Sequence, residues 1–207
     1  MQLKNYYWYF QKAVPEKICD EIVRYAKSIK DQMAVTGDFK EPETLDQIKD
    51  LKKKRDSNIV WLNEAWIYRE VQPYIHKANK NAGWNFQWDC SEHCQFTKYN
   101  TGQYYDWHRD GWGDSYHKKE GDPSNGKIRK LSVTLSLSDE KDYEGGDLEF
   151  DFGDTNPSKQ RDTHKCTEIR SKGSLVVFPS SIWHRVCPVK SGTRYSLVIW
   201  SLGWPFK

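Results

Sequence analysis

No stretch of this 207-residue chain approaches the ~18 consecutive apolar residues that a spanning helix needs. The opening, MQLKNYYWYF, also lacks the basic-then-apolar layout of a secretory signal. No membrane association and a cytoplasmic location are therefore expected. Neither sign of charge dominates: 32 Lys and Arg stand against 29 Asp and Glu, a formal net charge of +3. Nucleic-acid binders usually carry a strong basic face, with a domain pI above ~9; without that excess, no nucleic-acid partner is expected. The five cysteines, Cys19, Cys90, Cys94, Cys166 and Cys187, are odd in number and form no regular framework, which points to a reducing compartment and buried thiols. No internal repeat or low-complexity tract is present.

What the chain does have is aromatic surface: 14% of residues, including ten Trp and twelve Tyr, spread along its length. That disfavours disorder, and the mean hydropathy of −0.91 describes a single core with a wet exterior. The first part reads as helical. Pro15 opens a helix in which Ile18, Ile22, Ala26 and Ile29 recur at helical spacing. A second helix is expected over 64–80, kinked or divided by Pro73. The segment 30–55, rich in charge, reads as a long surface loop ending in the solvated basic run Lys52-Lys53-Lys54-Arg55.

From Asp89 the period shifts to two. Leu131, Val133, Leu135 and Leu137 alternate with Ser132, Thr134 and Ser136; Arg194, Ser196, Val198 and Trp200 share one strand face, Tyr195, Leu197 and Ile199 the other. Short strands between Gly, Pro, Asn and Asp clusters argue for a β-sandwich or jelly roll over 89–207 behind a helical flank over 1–88. The polar stretch 111–127 has the length of a lid.

His108-Arg109-Asp110 places an imidazole and a carboxylate two residues apart, on one face of a strand. His184, after the strand and turn Val176-Val177-Phe178-Pro179, is the best third ligand. Two imidazoles and one carboxylate occupy one face of an octahedron and leave three positions open, the arrangement of non-haem Fe(II) oxygenases. Arg194 begins the two-faced terminal strand with no acidic residue on its face, so a dicarboxylate cosubstrate is its natural partner. Three other patterns were weighed. Cys90-Ser91-Glu92-His93-Cys94 lacks a second well-spaced ligand pair for zinc. His108-Arg109-Asp110 spells the kinase catalytic triplet, without its phosphate loop or following Asn. His117 and Trp112 lie in the polar loop and read as solvated.

Taken together, Tyr99, Gly102, Tyr105, His108 and Asp110, then Gly145-Gly146-Asp147-Leu148, then Gly173 to Pro179, then His184, Val186, Pro188, Val189, Gly192, Arg194 and Trp200 form an ordered series. This series resembles the prolyl 4-hydroxylase-like 2-oxoglutarate/Fe(II) dioxygenases, over roughly 55–200. Arg55, Ser57, Trp61 and Leu62 look like the R-x-S…W-L stretch of bacterial members.

The resemblance implies an α+β, mainly β fold with a double-stranded β-helix (jelly roll) core and flanking N-terminal helices. It implies Fe(II) on His108, Asp110 and His184, with 2-oxoglutarate and O2 as cosubstrates and ascorbate as a further expectation. Arg194 would pair with the far carboxylate of 2-oxoglutarate and Tyr99 would hydrogen-bond the same end. Tyr105, Leu148, Ser196 and Trp200 would line the pocket. Hydroxylation of a prolyl residue in a peptide or protein, with release of succinate and CO2, is the implied activity; a free amino acid, a small metabolite or another side chain is the alternative substrate. A non-catalytic jelly-roll binding module would not need the His108/Asp110/His184/Arg194 set. Relatives often carry Tyr on the strand where this chain has Ser136.

Overall fold

The computed structural model describes residues 3–35, 44–153 and 163–206. Strand β1 (Trp8–Phe10) is followed by helix α1 (Glu16–Lys27), strand β2 (Gln32–Met33), helix α2 (Leu45–Lys54) and strands β3 (Arg55–Asp56) and β4 (Asn58–Leu62). Helix α3 (Ala65–Asn81) then leads to β5 (Cys90–Ser91), β6 (Cys94–Asn100), β7 (Tyr104–His108), β8 (Ile128–Ser136) and β9 (Tyr143–Gly145). The last strands are β10 (Leu148–Asp151), β11 (Thr163–Lys165), β12 (Leu175–Pro179), β13 (Trp183–Val186) and β14 (Val189–Gly203).

Two antiparallel sheets form the jelly roll. The larger runs β1-β12-β8-β14-β6-β4-β2, with β5 and β9 also on β14; the smaller runs β11-β10-β13-β7-β3. The period-two pattern sorts side chains between two buried environments rather than between core and water. Leu131, Val133 and Leu135 of β8, Leu175 and Val177 of β12 and Leu197 and Ile199 of β14 face outward into an apolar layer with α1 and α3. Their neighbours Ser132, Thr134, Ser136 and Ser196 are buried too, on the face turned toward the smaller sheet. Backbone ladders satisfy the strands, so this polar inner face becomes the wall of a pocket rather than a hydrophobic filling.

Helix α1 starts after Pro15, whose carbonyl accepts from the amides of both Ile18 and Cys19. Cys19, Ile22 and Ala26 are its buried stripe; Ile29 lies past the helix and is exposed. Helix α3 buries Ile67, Val71, Ile75 and Ala78 at spacings of four, four and three, and it runs unbroken through Pro73. The expected division does not occur. Pro73 is exposed, and the apolar stripe on the opposite side is anchored to the sheet, which offsets one missing backbone hydrogen bond.

The expected 30–55 loop is corrected in its described part; residues 36–43 lie outside the described residues. Residues 45–54 are helical because Thr44 and Gln47 make a capping box: the Thr44 hydroxyl accepts from the Gln47 amide, and the Gln47 side chain accepts from the Thr44 amide. Lys52 and Lys53 are exposed, as a solvated run should be. Arg55, however, is only 5% exposed. Among the described residues no helix is long and apolar enough to cross a membrane.

Candidate metal and cosubstrate site

The ladder between β7 and β13 sets His184 directly opposite His108, with ring centroids 4.1 Å apart. Asp110 follows β7, and its amide is fixed on the carbonyl of Ser180. His108 Nε2 lies 3.6 Å from Asp110 Oδ1, and His184 Nε2 lies 3.5 Å from Asp110 Oδ2. All three ligand atoms fall within 4.8 Å of one another, a triangle that one ion with bonds of about 2 Å spans after small side-chain adjustments.

Each imidazole is oriented by a backbone carbonyl two residues before it: His108 Nδ1 donates to Asp106 O at 2.8 Å, His184 Nδ1 to Ile182 O at 3.0 Å. That places the proton on Nδ1 and leaves the Nε2 lone pair facing the centre, as a metal ligand requires. Burial, followed by the neighbouring His184, pushes the His108 pKa well below its usual value, so the ring is held neutral. Burial alone would raise the Asp110 pKa; His184, His108 and Arg129 outweigh it and hold the carboxyl at about 2. The His108 ring and the ionised Asp110 carboxylate are therefore in ligating form at neutral pH.

Arg194 enters the same pocket from β14, paired in register with Tyr99 on β6. Arg194 is 3% exposed; among the described residues its guanidinium bonds the Ser196 hydroxyl, at 3.3 Å, while lying 5.6 Å from the Tyr99 ring centroid. Among the described residues no carboxylate pairs with it. A buried guanidinium in that state is strongly disfavoured unless an anion completes it. Gly146 makes room for it: at φ +61, a methyl group there would stand 2.9 Å from Arg194 Cδ.

Tyr99, Tyr105, Leu148, Ser196 and Trp200 line this one pocket with His108, Asp110, His184 and Arg194. Tyr105 stacks on His108, centroids 3.5 Å apart. Ser136 lines an adjoining cavity with Leu148 and Arg194, and its hydroxyl donates to the Ile169 carbonyl at 2.5 Å.

Three further residues contribute: Arg55, which the R-x-S pattern contains, and Arg129 and Glu92, which the sequence does not single out. Arg55 donates to Ser57 Oγ at 2.8 Å and Gln95 Oε1 at 2.6 Å and lies over Tyr105 on the pocket wall. Arg129 and Glu92 form a two-pronged pair at 2.7 and 2.6 Å, and the Tyr116 hydroxyl donates to the same carboxylate. Arg129 also donates to the Asp110 carbonyl and lies 4.0 Å from the Trp200 ring centroid, so the pair braces both a ligand loop and a pocket wall. The R-x-S pattern at Arg55 was a visible signal for the first; nothing in local spacing connects Glu92 to Arg129.

A jelly roll enclosing two imidazoles, one carboxylate and a buried arginine without a counter-ion among the described residues defines the class of non-haem iron oxygenases that take a keto-diacid. The family model described as the 2OG-Fe(II) oxygenase superfamily matches residues 94–202, and the chain belongs to that superfamily. Membership implies Fe(II), 2-oxoglutarate and O2, and the His/Asp/His group fits an iron site.

Among curated relatives, a PKHD-type hydroxylase of Synechococcus sp. (strain CC9311) is 42% identical over 71 residues, 34% of this chain and 28% of the relative. The PKHD-type hydroxylase YbiX of Escherichia coli O157:H7 is 36% identical over 107 residues, 51% of this chain and 40% of the relative. The matches thus span less than half the length of these relatives.

Among solved structures, a viral collagen prolyl hydroxylase from Paramecium Bursaria Chlorella virus-1 in a 2OG complex superposes with TM-score 0.62 at 19% identity, covering 96% of this chain and 97% of that one. A Trichoplax adhaerens prolyl hydroxylase, bound to a hypoxia inducible factor peptide fragment, gives 0.57 at 17% identity, covering 95% and 83%. At these identities the likeness establishes the fold.

Proposed function

We propose that the chain is an Fe(II)- and 2-oxoglutarate-dependent dioxygenase that hydroxylates a prolyl residue in a peptide or protein. The observation that carries the oxygenase reading is the convergence of His108, Asp110 and His184 beside Arg194, a buried cation that lacks an anion among the described residues. In this reading the three ligands bind iron through both Nε2 atoms and the Asp110 carboxylate. Arg194 takes the far carboxylate of 2-oxoglutarate, and the Tyr99 hydroxyl supports the same end. With the Ser136 hydroxyl engaged by the Ile169 carbonyl, these two groups carry the anchoring. Leu148 and Trp200 wall the pocket against water, and Arg129 holds the ligand loop through the Asp110 carbonyl. Iron with its cosubstrate supplies O2 activation coupled to oxidative decarboxylation, which yields succinate, CO2 and a hydroxylated carbon.

The prolyl assignment draws on the relatives named hydroxylases and the neighbours named prolyl hydroxylases, one of them with a peptide. Five unpaired cysteines fit a reducing, cytoplasmic setting. Incubation with Fe(II), 2-oxoglutarate, air and a library of proline-containing peptides tests the substrate: peptides gaining one oxygen on proline are expected. Succinate formed with no modified peptide would move the substrate to a free amino acid or small metabolite. No visible charge-transfer band on anaerobic addition of Fe(II) and 2-oxoglutarate would refute the oxygenase reading itself.

A further inference from the structure

Three oxidisable rings line the pocket, and each has a guanidinium over its face. Arg194 lies 5.6 Å from the Tyr99 centroid, Arg55 4.5 Å from Tyr105 and Arg129 4.0 Å from Trp200. The attraction in a cation–π pair depends on the electron-rich face of the ring. Removing an electron turns it into repulsion, so these cations oppose oxidation of the rings they cover. Proton release is also blocked at one of them. Among the described residues, Trp200 Nε1 is buried without a partner to take its proton.

Across the smaller sheet the situation reverses. Phe150 pairs with His184 in the β10–β13 ladder; its ring is 6.4 Å from that imidazole and 5.3 Å, stacked, from the ring of Tyr7. Phe178 gives a second contact route, 4.8 Å from His184 and 5.0 Å from Phe150. Tyr7 has the proton acceptor that Trp200 lacks. Its hydroxyl lies 3.0 Å from Glu168 Oε1 and 2.8 Å from His164 Nε2. The one phenolic proton goes to the carboxylate, and His164 completes the set as donor to the phenol oxygen. Among the described residues no cation covers the Tyr7 ring. The residue is half-buried, within reach of a small molecule in solution. Burial and then Glu168 raise its pKa, which keeps the phenol protonated until an electron leaves.

We propose that Tyr7 is a redox-active tyrosine that drains oxidising equivalents from the iron site when no substrate consumes them. This rests on the reading of His108, Asp110 and His184 as that site. Turnover without substrate leaves two oxidising equivalents at the iron. One electron passes from Tyr7 through Phe150 to the iron, which ends ferric. The Tyr7 O–H bond breaks, its proton moves to Glu168 Oε1, and the phenoxyl oxygen keeps the His164 hydrogen bond. A one-electron reductant of the enediol class, of which ascorbate is one, then supplies two electrons. One restores the phenol as Glu168 returns its proton, and one restores Fe(II); the oxygen atom that turnover left at the iron takes up two protons from solvent and leaves as water.

The test exposes anaerobic protein, loaded with Fe(II) and 2-oxoglutarate but no peptide, to O2 and freezes it for electron paramagnetic resonance. A tyrosyl radical is expected, narrowed by ring-deuterated tyrosine and absent in Tyr7→Phe, which keeps the ring stack. Peptide mapping should find oxidised tyrosine at position 7 in the parent. In Tyr7→Phe, oxidation should shift to Tyr105 or Trp200, with several-fold fewer turnovers before inactivation. Glu168→Gln, which keeps the shape without the base, should give a markedly smaller radical yield. A charge-transfer band and succinate without any radical, or a radical unchanged in Tyr7→Phe, would overturn this inference alone. Absence of the band would overturn the iron-site reading, and this inference with it.

Discussion

His108 and His184 face each other across the β7–β13 ladder, and each donates its Nδ1 proton to the carbonyl two residues before it. The same local device thus fixes both imidazoles and turns both Nε2 atoms toward Asp110. Second-layer partners of metal ligands are worth 10–100-fold in affinity. Loss of a ligand itself should cost at least the upper end, about 100-fold. His184→Ala and His108→Ala are each expected to abolish the charge-transfer band in an anaerobic Fe(II) and 2-oxoglutarate titration. A band of unchanged intensity in either variant would remove that residue from the ligand set.

Arg194 offers a prediction with two opposite signs. Removing a buried charge that has no counter-ion among the described residues relieves a desolvation cost, so Arg194→Met should leave the protein without cosubstrate as stable as the parent or more so. The same change deletes the partner of a dicarboxylate, an interaction worth about 3–5 kcal/mol when one buried partner is left behind, or roughly two to three and a half orders of magnitude in affinity. Thermal melts with and without 2-oxoglutarate read both effects: an equal or higher melting temperature alone, and no stabilisation by the cosubstrate. A large loss of stability in its absence would mean that Arg194 already has a structural partner.

Gly146 makes the position of Arg194 checkable by a smaller change. Alanine at φ +61 costs about 1–2 kcal/mol in backbone strain, and its methyl group would crowd Arg194 Cδ at 2.9 Å and Val189 Cγ2 at 3.0 Å. Gly146→Ala should raise the 2-oxoglutarate requirement while Fe(II) binding changes little. Equal losses in both would show that the substitution disturbs the fold at large.

Much of this was legible in short-range pattern. The alternation along 131–137 and 194–200 assigned strand faces correctly, because period two is a property of the backbone itself. The candidate ligands His108 and Asp110 stood out because they are two residues apart on one segment. What escaped depends on three-dimensional neighbours. Arg55 ends a basic run and looks solvated, yet register with Tyr105 carries it under the sheet. The helix 45–54 was masked by its charge, although Thr44 and Gln47 held the capping signal.

Pro73 belongs to the same lesson and yields a measurement. Proline in a helix interior is about 3 kcal/mol worse than alanine, less the roughly 1 kcal/mol by which its rigidity restrains the unfolded chain. Since Pro73 is exposed and α3 stays helical around it, Pro73→Ala should stabilise the protein by about 1–2 kcal/mol in denaturant unfolding. A destabilised variant would show that the ring packs usefully against a neighbour.

The Glu92–Arg129 pair, 37 residues apart in sequence, makes the last case. Its side chains are 19% and 21% exposed, so solvent screens part of the attraction. Glu92→Ala nonetheless leaves a guanidinium and the Tyr116 hydroxyl without their acceptor, at a cost of about 1–3 kcal/mol. Arg129→Met removes the cation, the grip on the Asp110 carbonyl and the cover over Trp200 together. If the pair acts as a unit, the double variant should be less destabilised than the two single changes added, with a coupling of about 0.5–3 kcal/mol. Fe(II) affinity separates the pair's two roles. It should fall in Arg129→Met, where the ligand loop is released, and hold nearer the parent value in Glu92→Ala, where Arg129 still reaches Asp110. Strict additivity in stability, with no change in iron affinity in either variant, would reduce the pair to an isolated contact that does not brace the site.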